Sequence, residues 1–348
     1  MKAYQFSIVH STKSLTPKLF EGTGSMEKKK ILYYQIDDTL DYESDLLRQW
    51  GITDLELVQA KEGDFVEEAR DAAGAVVEYQ QVTRPIIEQL PQLKIVALQS
   101  IGVDNIDLDA ATDHGLCVTN CPGFCSEEVA LHTIGLIIDL ARKITALDRS
   151  VRAGSWDPLL GYPIHRLSNK TIGLYFFGSI PKKMIPMLRG LQLSILVYAP
   201  TKTAEYLAGF GAEKANSFDE LLRRSDILSL HCPLIPETEH LISDRELQLM
   251  KKTAFLINTA RGRVVDEAAL VRALKSGAIQ AAAVDVIEDE VGAKSELFTL
   301  ENAVITPHAA FVSEDSFYGA RKTALAQLVQ RICRNGRPEH LVNSAVHF

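Results

Sequence analysis

Short apolar runs alternate with helix-patterned segments along almost the whole chain, and this alternation limits the fold more than any other feature. Runs at 31–36, 75–79, 95–98 and 116–119 are followed by a second series at 171–177, 194–198, 226–231, 254–258, 281–286 and 303–306. A strand with one wet face would alternate apolar and polar residues. A strand that is apolar throughout is covered on both faces, as in parallel sheets flanked by helices. Helix signals fill the intervals. Ser217-Phe218-Asp219-Glu220 and Ser243-Asp244-Arg245-Glu246 have the form of capping boxes, each able to satisfy two free backbone N–H groups. Asp266 is placed to cap the helix carrying Leu270 and Leu274, with Gly277 at its C-terminal turn. The longest helix is expected to start after Ser126, with Glu127 and Glu128 in its electropositive first turn, and to run to about Arg149. Two strand series with one long helix between them predict an α/β chain: two Rossmann-like doubly wound parallel-sheet domains with a cleft between them. Such sheets bind ligands at the carboxyl ends of their strands.

Composition narrows the class. The 348 residues suit about two domains, and 46% apolar with 24% charged residues is ordinary for a packed globular chain. A formal net charge of −8 argues against nucleic acid and anionic membrane as partners, since both call for a basic surface. No apolar run reaches the ~18 residues of a membrane span. Five cysteines are an odd number in a long chain, so a disulfide framework is not expected. Cys117, Cys121 and Cys125 recur every four residues, but Pro122-Gly123 breaks any shared helix; they read as buried small side chains, and no metal is expected. Residues 1–25 end in Gly22-Thr23-Gly24-Ser25 ahead of a second possible start at Met26; they read as a leader or tag outside the fold.

Two stretches carry chemistry. After the apolar run 174–177 comes Gly178-Ser179-Ile180 and then a helix, the context of a dinucleotide-binding G-x-G-x-x-G turn. The three glycine positions hold Phe176, Gly178 and Pro181, so only the middle glycine is present. Pro181 suits a first helical turn. Lys182 and Lys183 follow, either as a phosphate-attracting pair or as a solvated helix face. The next strand runs into Tyr198-Ala199-Pro200-Thr201-Lys202, without the acid that holds ribose hydroxyls. A hydroxyl and a cation there favour a 2′-phosphate. Further on, three strand ends supply Arg261 in Asn258-Thr259-Ala260-Arg261-Gly262, the carboxylates of Asp285 through Glu290, and His308 in Thr306-Pro307-His308. Arginine can clamp a carboxylate, and histidine beside a carboxylate can move a proton near neutral pH.

With these residues the chain resembles the D-isomer-specific 2-hydroxyacid dehydrogenases, most closely the C-terminal-binding-protein-like branch. The resemblance runs from about Ile31 to Asn343. Its further anchors are Gly102-Val103-Asp104-Asn105-Ile106-Asp107, Val118-Thr119-Asn120-Cys121-Pro122-Gly123 and His231-Cys232-Pro233-Leu234. It implies an oxidoreductase transferring a hydride between a nicotinamide cofactor and a small 2-oxo/D-2-hydroxy acid. It implies a substrate domain from 30–126 and 317–348 and a nucleotide-binding domain from 127–316. By the family pattern Arg261, Glu290 and His308 are catalytic. Ser100, Ile101 and Gly102 bind the substrate together with Arg261. Gly178, Ser179, Ile180, Thr201, Lys202, Cys232, Pro233, Thr259, Ala260 and Asp285 hold the cofactor, with Asp285 meeting the nicotinamide amide. The resemblance also implies a cytoplasmic homodimer joined through the long helix. The catalytic set is complete, whereas Phe176, Pro181 and Ala199 depart from the cofactor pattern; Val291 replaces a proline and carries no chemistry. NAD(P) is therefore the expected cofactor, with NADP favoured over NAD. The alternative expectation is a catalytically weak or inactive homologue that acts as a binding or regulatory protein.

Overall fold

A computed structural model describes residues 28–347; the leader or tag expected at 1–25 lies outside them. The described chain forms twelve strands: β1 (Lys29–Tyr34), β2 (Leu55–Ala60), β3 (Gly74–Val77), β4 (Ile95–Leu98), β5 (Cys117–Thr119), β6 (Thr171–Tyr175), β7 (Ser194–Tyr198), β8 (Glu213–Lys214), β9 (Ile227–Leu230), β10 (Phe255–Asn258), β11 (Ala281–Val284) and β12 (Ala303–Ile305). They build two sheets, ordered β2-β1-β3-β4-β5 and β12-β11-β10-β9-β6-β7-β8. Every pairing within them is parallel. Counted within each sheet, the first has the flavodoxin-like order 2-1-3-4-5. The second has the dinucleotide-binding order 3-2-1-4-5-6 with one strand added.

The continuous apolar runs are buried on both sides. In β1, Leu32 and Tyr34 enter one core, and Ile31 and Tyr33 enter the other. In β6, Ile172 and Leu174 belong to one layer while Tyr175 packs on the opposite one. Two strands lack this signature. Leu55–Ala60 sits at a sheet edge and buries only its two end residues, and Glu213–Lys214 is a two-residue edge. An edge strand has a neighbour on one side only, so its sequence is not forced to be apolar.

The long helix corrects the expected length. It ends at Arg142, where Lys143 takes a left-handed φ of 55°, and a second helix, Ile144–Arg152, begins at once. Asp139 explains the break: its carboxylate accepts the Thr145 backbone N–H at 2.7 Å and the Thr145 hydroxyl at 2.5 Å, which ends the first helix and starts the next. The second helix buries none of its residues.

The last helix, Glu314–Ile332, returns to the five-stranded sheet, where Leu325, Leu328 and Ile332 share a core with Ile31 and Ile95. Arg321 on this helix donates two bonds to the fully buried Glu43, at 2.6 and 2.7 Å, and one to the Thr39 carbonyl at 2.7 Å. The Arg321 guanidinium also lies over the rings of Tyr42 and Tyr318. Removing one partner of such a pair would leave the other charge buried and alone, which typically costs about 3–5 kcal/mol. The pair thus fixes the end of the chain against its beginning. No described helix is long and apolar enough to cross a membrane. Cys117, Cys121 and Cys125 are buried and free, and burial pushes the thiols of Cys121 and Cys125 up to about 12.

Candidate active site

The carboxyl ends of β10, β11 and β12 lie side by side in the second sheet, and each carries one of the residues singled out from the sequence. After β10, the Asn258 side chain ties the turn, donating to the Arg261 carbonyl at 2.9 Å and accepting from the Ala260 N–H at 3.0 Å. Gly262 follows because nothing larger fits: a Cβ there would collide with the carbonyl of Ile287. The Arg261 guanidinium donates to its neighbour's carbonyl, that of Ala260, at 2.8 Å and reaches across to Asp104 at 3.3 Å. A Cβ on Gly102 would collide with Arg261 Nη2, so that loop and the guanidinium lie in direct apposition. The Ser100-Ile101-Gly102 loop is held at three points. The Ser100 hydroxyl donates to the Gly102 carbonyl, Asn120 donates to the Ile101 carbonyl, and the Cys121 N–H donates to the Ser100 carbonyl.

His308 sits in a left-handed conformation, φ 50°, that side chains other than glycine avoid. Asp285 holds it there. The Asp285 carboxylate accepts the Thr306 hydroxyl at 2.5 Å and the N–H groups of Ala309 and Ala310 at 2.9 Å, while its carbonyl accepts the His308 N–H at 2.7 Å. His132, from the helix Ser126–Arg142, bonds Thr306 at 2.9 Å and lies 3.6 Å from Asp285. The Asp285 side chain is 1% exposed, so its carboxylate is turned inward onto this loop. So anchored, His308 presents Nδ1 to Glu290 Oε2 at 2.9 Å. That hydrogen bond holds the Glu290 carboxyl below its ordinary range, and the charge of Arg261 acts in the same direction. Phe311 closes one side, edge to face with His308 at 5.9 Å between ring centres. Val291 is fully exposed.

The expected cofactor residues spread along the second sheet. Gly178 precedes the helix Ser179–Gly190, whose first turn has neither a side-chain cap nor an acidic residue. Its N–H groups and positive end therefore suit an anion such as a pyrophosphate. Ile180 packs against Cys125 and Ala310. Thr201 and Lys202 lie past the end of β7, two strands beyond β9 in the sheet order and so on the far side from Arg261 and His308. Ala199 is buried, and the Lys202 ammonium lies 5.5 Å from the ring centre of Tyr206. Cys232 is buried, Pro233 is exposed, and Ala260 is partly covered. Thr259 is turned onto the long helix, its hydroxyl 3.0 Å from that of Thr133. Three residues of the site carry no local mark of a role: Asp104 inside a quoted anchor, and His132 and Thr306, which meet across a separation of 174 residues.

His231, at the end of β9, adds a pH-sensitive element. Its Nε2 bonds the buried Ser229 hydroxyl at 2.9 Å, and its Nδ1 has no partner among the described residues. Burial pushes the imidazole down to about 3. An unfolded histidine titrates near 6.5, so between about pH 6.5 and 3 the unfolded chain holds a proton that the folded chain does not. Stability from this group is complete above pH 6.5 and is lost as the pH falls, at up to about 1.4 kcal/mol per pH unit. Urea denaturation at pH 7, 6, 5 and 4 should show this loss in the native protein. His231→Gln should flatten the slope by that amount; an unchanged slope would remove His231 from the account.

Residues 134–310 match the family D-isomer specific 2-hydroxyacid dehydrogenase, NAD binding domain. The glyoxylate reductase of Thermococcus litoralis is 37% identical over 294 residues, 82% of this chain and 87% of that protein. The D-3-phosphoglycerate dehydrogenase of Methanocaldococcus jannaschii is 37% identical over 281 residues, 80% of this chain; the chain spans 53% of that longer protein. A solved glyoxylate reductase from Paecilomyes thermophila superposes with a TM-score of 0.82 at 28% identity, covering 91% of this chain and 99% of its own. The chain belongs to the D-isomer-specific 2-hydroxyacid dehydrogenase family. It is an oxidoreductase that transfers a hydride between a nicotinamide cofactor and a 2-oxo/D-2-hydroxy acid, and the alternative of an inactive binding protein is not favoured.

Proposed function

We propose that this protein reduces a small 2-oxoacid with a single carboxylate, and that Arg261, Glu290 and His308 carry the chemistry. The observation behind this is their meeting at adjacent strand ends: His308 bonded to Glu290, and Arg261 close enough to act on the Glu290 charge. Arg261 grips the substrate carboxylate and polarises its carbonyl, with N–H groups of the Ser100-Ile101-Gly102 loop on the other side. Asp104 steadies the guanidinium. His308 gives the carbonyl oxygen a proton, and Glu290 stabilises the imidazolium that must precede this step. The nicotinamide supplies the hydride. Arg261 is flanked by Asp104 and Glu290, so among the described residues the site has no cation to spare for a second anionic group, and the names of the reductases above make a glyoxylate-sized acid the first to try. His308→Ala should lower kcat by about 10²–10⁴-fold and leave cofactor affinity nearly unchanged, read by absorbance over a panel of 2-oxoacids. Full turnover would place the proton donor elsewhere.

NADP(H) is the favoured cofactor. Ala199 leaves the end of β7 without a carboxylate to repel a 2′-phosphate, and Thr201 and Lys202 stand just beyond it. Lys182 adds a second ammonium, 5.8 Å from the ring centre of Tyr206. At ~4 Å a repelling charge is worth of order 1–4 kcal/mol. Calorimetry should find NADPH tighter than NADH, and Ala199→Asp should reverse the order. Tighter NADH binding in the native protein would reject the preference.

We also assign the five-stranded unit, 30–126 with 317–348, to the substrate and 127–316 to the nucleotide. The likeness to the C-terminal-binding-protein-like branch rests on the ordered sequence anchors alone. A homodimer is supported by Leu131, Ile144, Val151, Trp156, Leu159 and Tyr162. All are exposed large apolar residues: Leu131 lies on the helix Ser126–Arg142, and the others lie on and after the helix Ile144–Arg152, which buries nothing in its own chain. Light scattering at micromolar concentration should give twice the chain mass, and a monomer mass would contradict it. Five free cysteines fit a reducing, cytoplasmic location.

A further inference from the structure

The turn that leaves β6 is made by a residue that stores strain and covers its neighbour. Phe176 has φ 77°, a left-handed conformation in which a bulky side chain is a genuine outlier. The fold imposes it. The Phe176 N–H continues the ladder by bonding the Tyr198 carbonyl at 2.9 Å, and the chain must then turn at once into the helix Ser179–Gly190. This is the position at which a G-x-G-x-x-G turn uses its first glycine, and the backbone here keeps the glycine conformation without the glycine. The ring has gone where a glycine has nothing. Its Cε1 and Cδ1 lie 3.4 and 3.7 Å from the point where a Cβ on Gly178 would stand. The bare side of Gly178, which in this motif lets a pyrophosphate approach the backbone, is therefore faced by an aromatic ring. Pro181 adds no room, since it is buried in the first turn of the helix. Phe176 is 40% exposed, so it is not part of the packed core.

We propose that Phe176 is a cover over the pyrophosphate subsite and sets the affinity for dinucleotide, because the ring on Gly178 and a phosphate on Gly178 exclude each other. The proposal rests on the reading of this crevice as the dinucleotide site. It is separate from the choice between NAD(H) and NADP(H): the pyrophosphate is common to both, so the ring weakens both by the same factor. That choice is made past β7, at Ala199 and Lys202. The cover also separates two roles of one residue, since the strain belongs to the backbone and the obstruction to the ring.

Titration of the native protein, Phe176→Ala and Phe176→Gly with NADH and with NADPH, followed by nicotinamide fluorescence, tests this, together with thermal melts without cofactor. Both variants should bind each cofactor about tenfold more tightly, a gain of about 1.4 kcal/mol. The factor should be the same for the two cofactors. Only Phe176→Gly should raise the melting temperature, because only glycine relieves the left-handed strain. Unchanged or weaker binding by Phe176→Ala would overturn the cover and make the ring a contact for the bound molecule. A gain for one cofactor alone would overturn it too. If neither cofactor binds the native protein or either variant, the dinucleotide reading of the crevice fails, and the cover fails with it.

Discussion

Asp285 is a carboxylate held almost entirely out of water at the end of a parallel strand. A buried anion is tolerated only when donors surround it, and here the donors come from the segment that carries His308. The Thr306 hydroxyl and the N–H groups of Ala309 and Ala310 all turn toward Asp285. His308 is thereby fixed in a backbone conformation it would not choose, with its ring against Glu290. Through Thr306 the same group reaches His132 on the helix Ser126–Arg142, which lies in the chain between the strands of one sheet and those of the other. The position of His308 is thus set by the burial of a different residue.

The other half of the site is arranged across the two sheets. Arg261 belongs to the seven-stranded sheet, yet its guanidinium bonds Asp104 and lies against Gly102, both from loops of the five-stranded one. A cation placed this way senses the approach of the two sheets directly, because each brings part of its surroundings. The Ser313 hydroxyl adds a second tie, donating to Glu128 at 2.7 Å. The buried Arg321–Glu43 pair then holds the returning helix to the sheet from which the chain set out. The loops of the two sheets are therefore aligned by polar contacts that are few and specific, over cores that are apolar and general.

The strand ends of the second sheet fall into two groups. At β10, β11 and β12 the hydrogen-bonded set is complete. At β6 and β7 the backbone of the binding turn is retained, but Phe176 and Ala199 replace the side chains, or the lack of one, that such a turn ordinarily presents. A parallel sheet allows this because each strand end carries its own loop on a common scaffold.

Sequence by itself determined the strands that lie inside the sheets, because a strand buried on both faces has no choice but to be apolar. It determined the helix caps at Ser217, Ser243 and Asp266, since capping is a bond between residues three apart, and each is present. It also put Arg261, Glu290 and His308 at strand ends. Tertiary structure decided the rest. The edge strands Leu55–Ala60 and Glu213–Lys214 exist because a neighbour pairs with them, not because their residues demand it. The break at Lys143 depends on which way the Asp139 carboxylate turns. The contacts of Asp104 with Arg261 and of His132 with Thr306 join residues 157 and 174 positions apart. No local pattern encodes such pairs: the first exists because two loops from different sheets meet, and the second because the assembled fold buries the Asp285 carboxylate that Thr306 bonds.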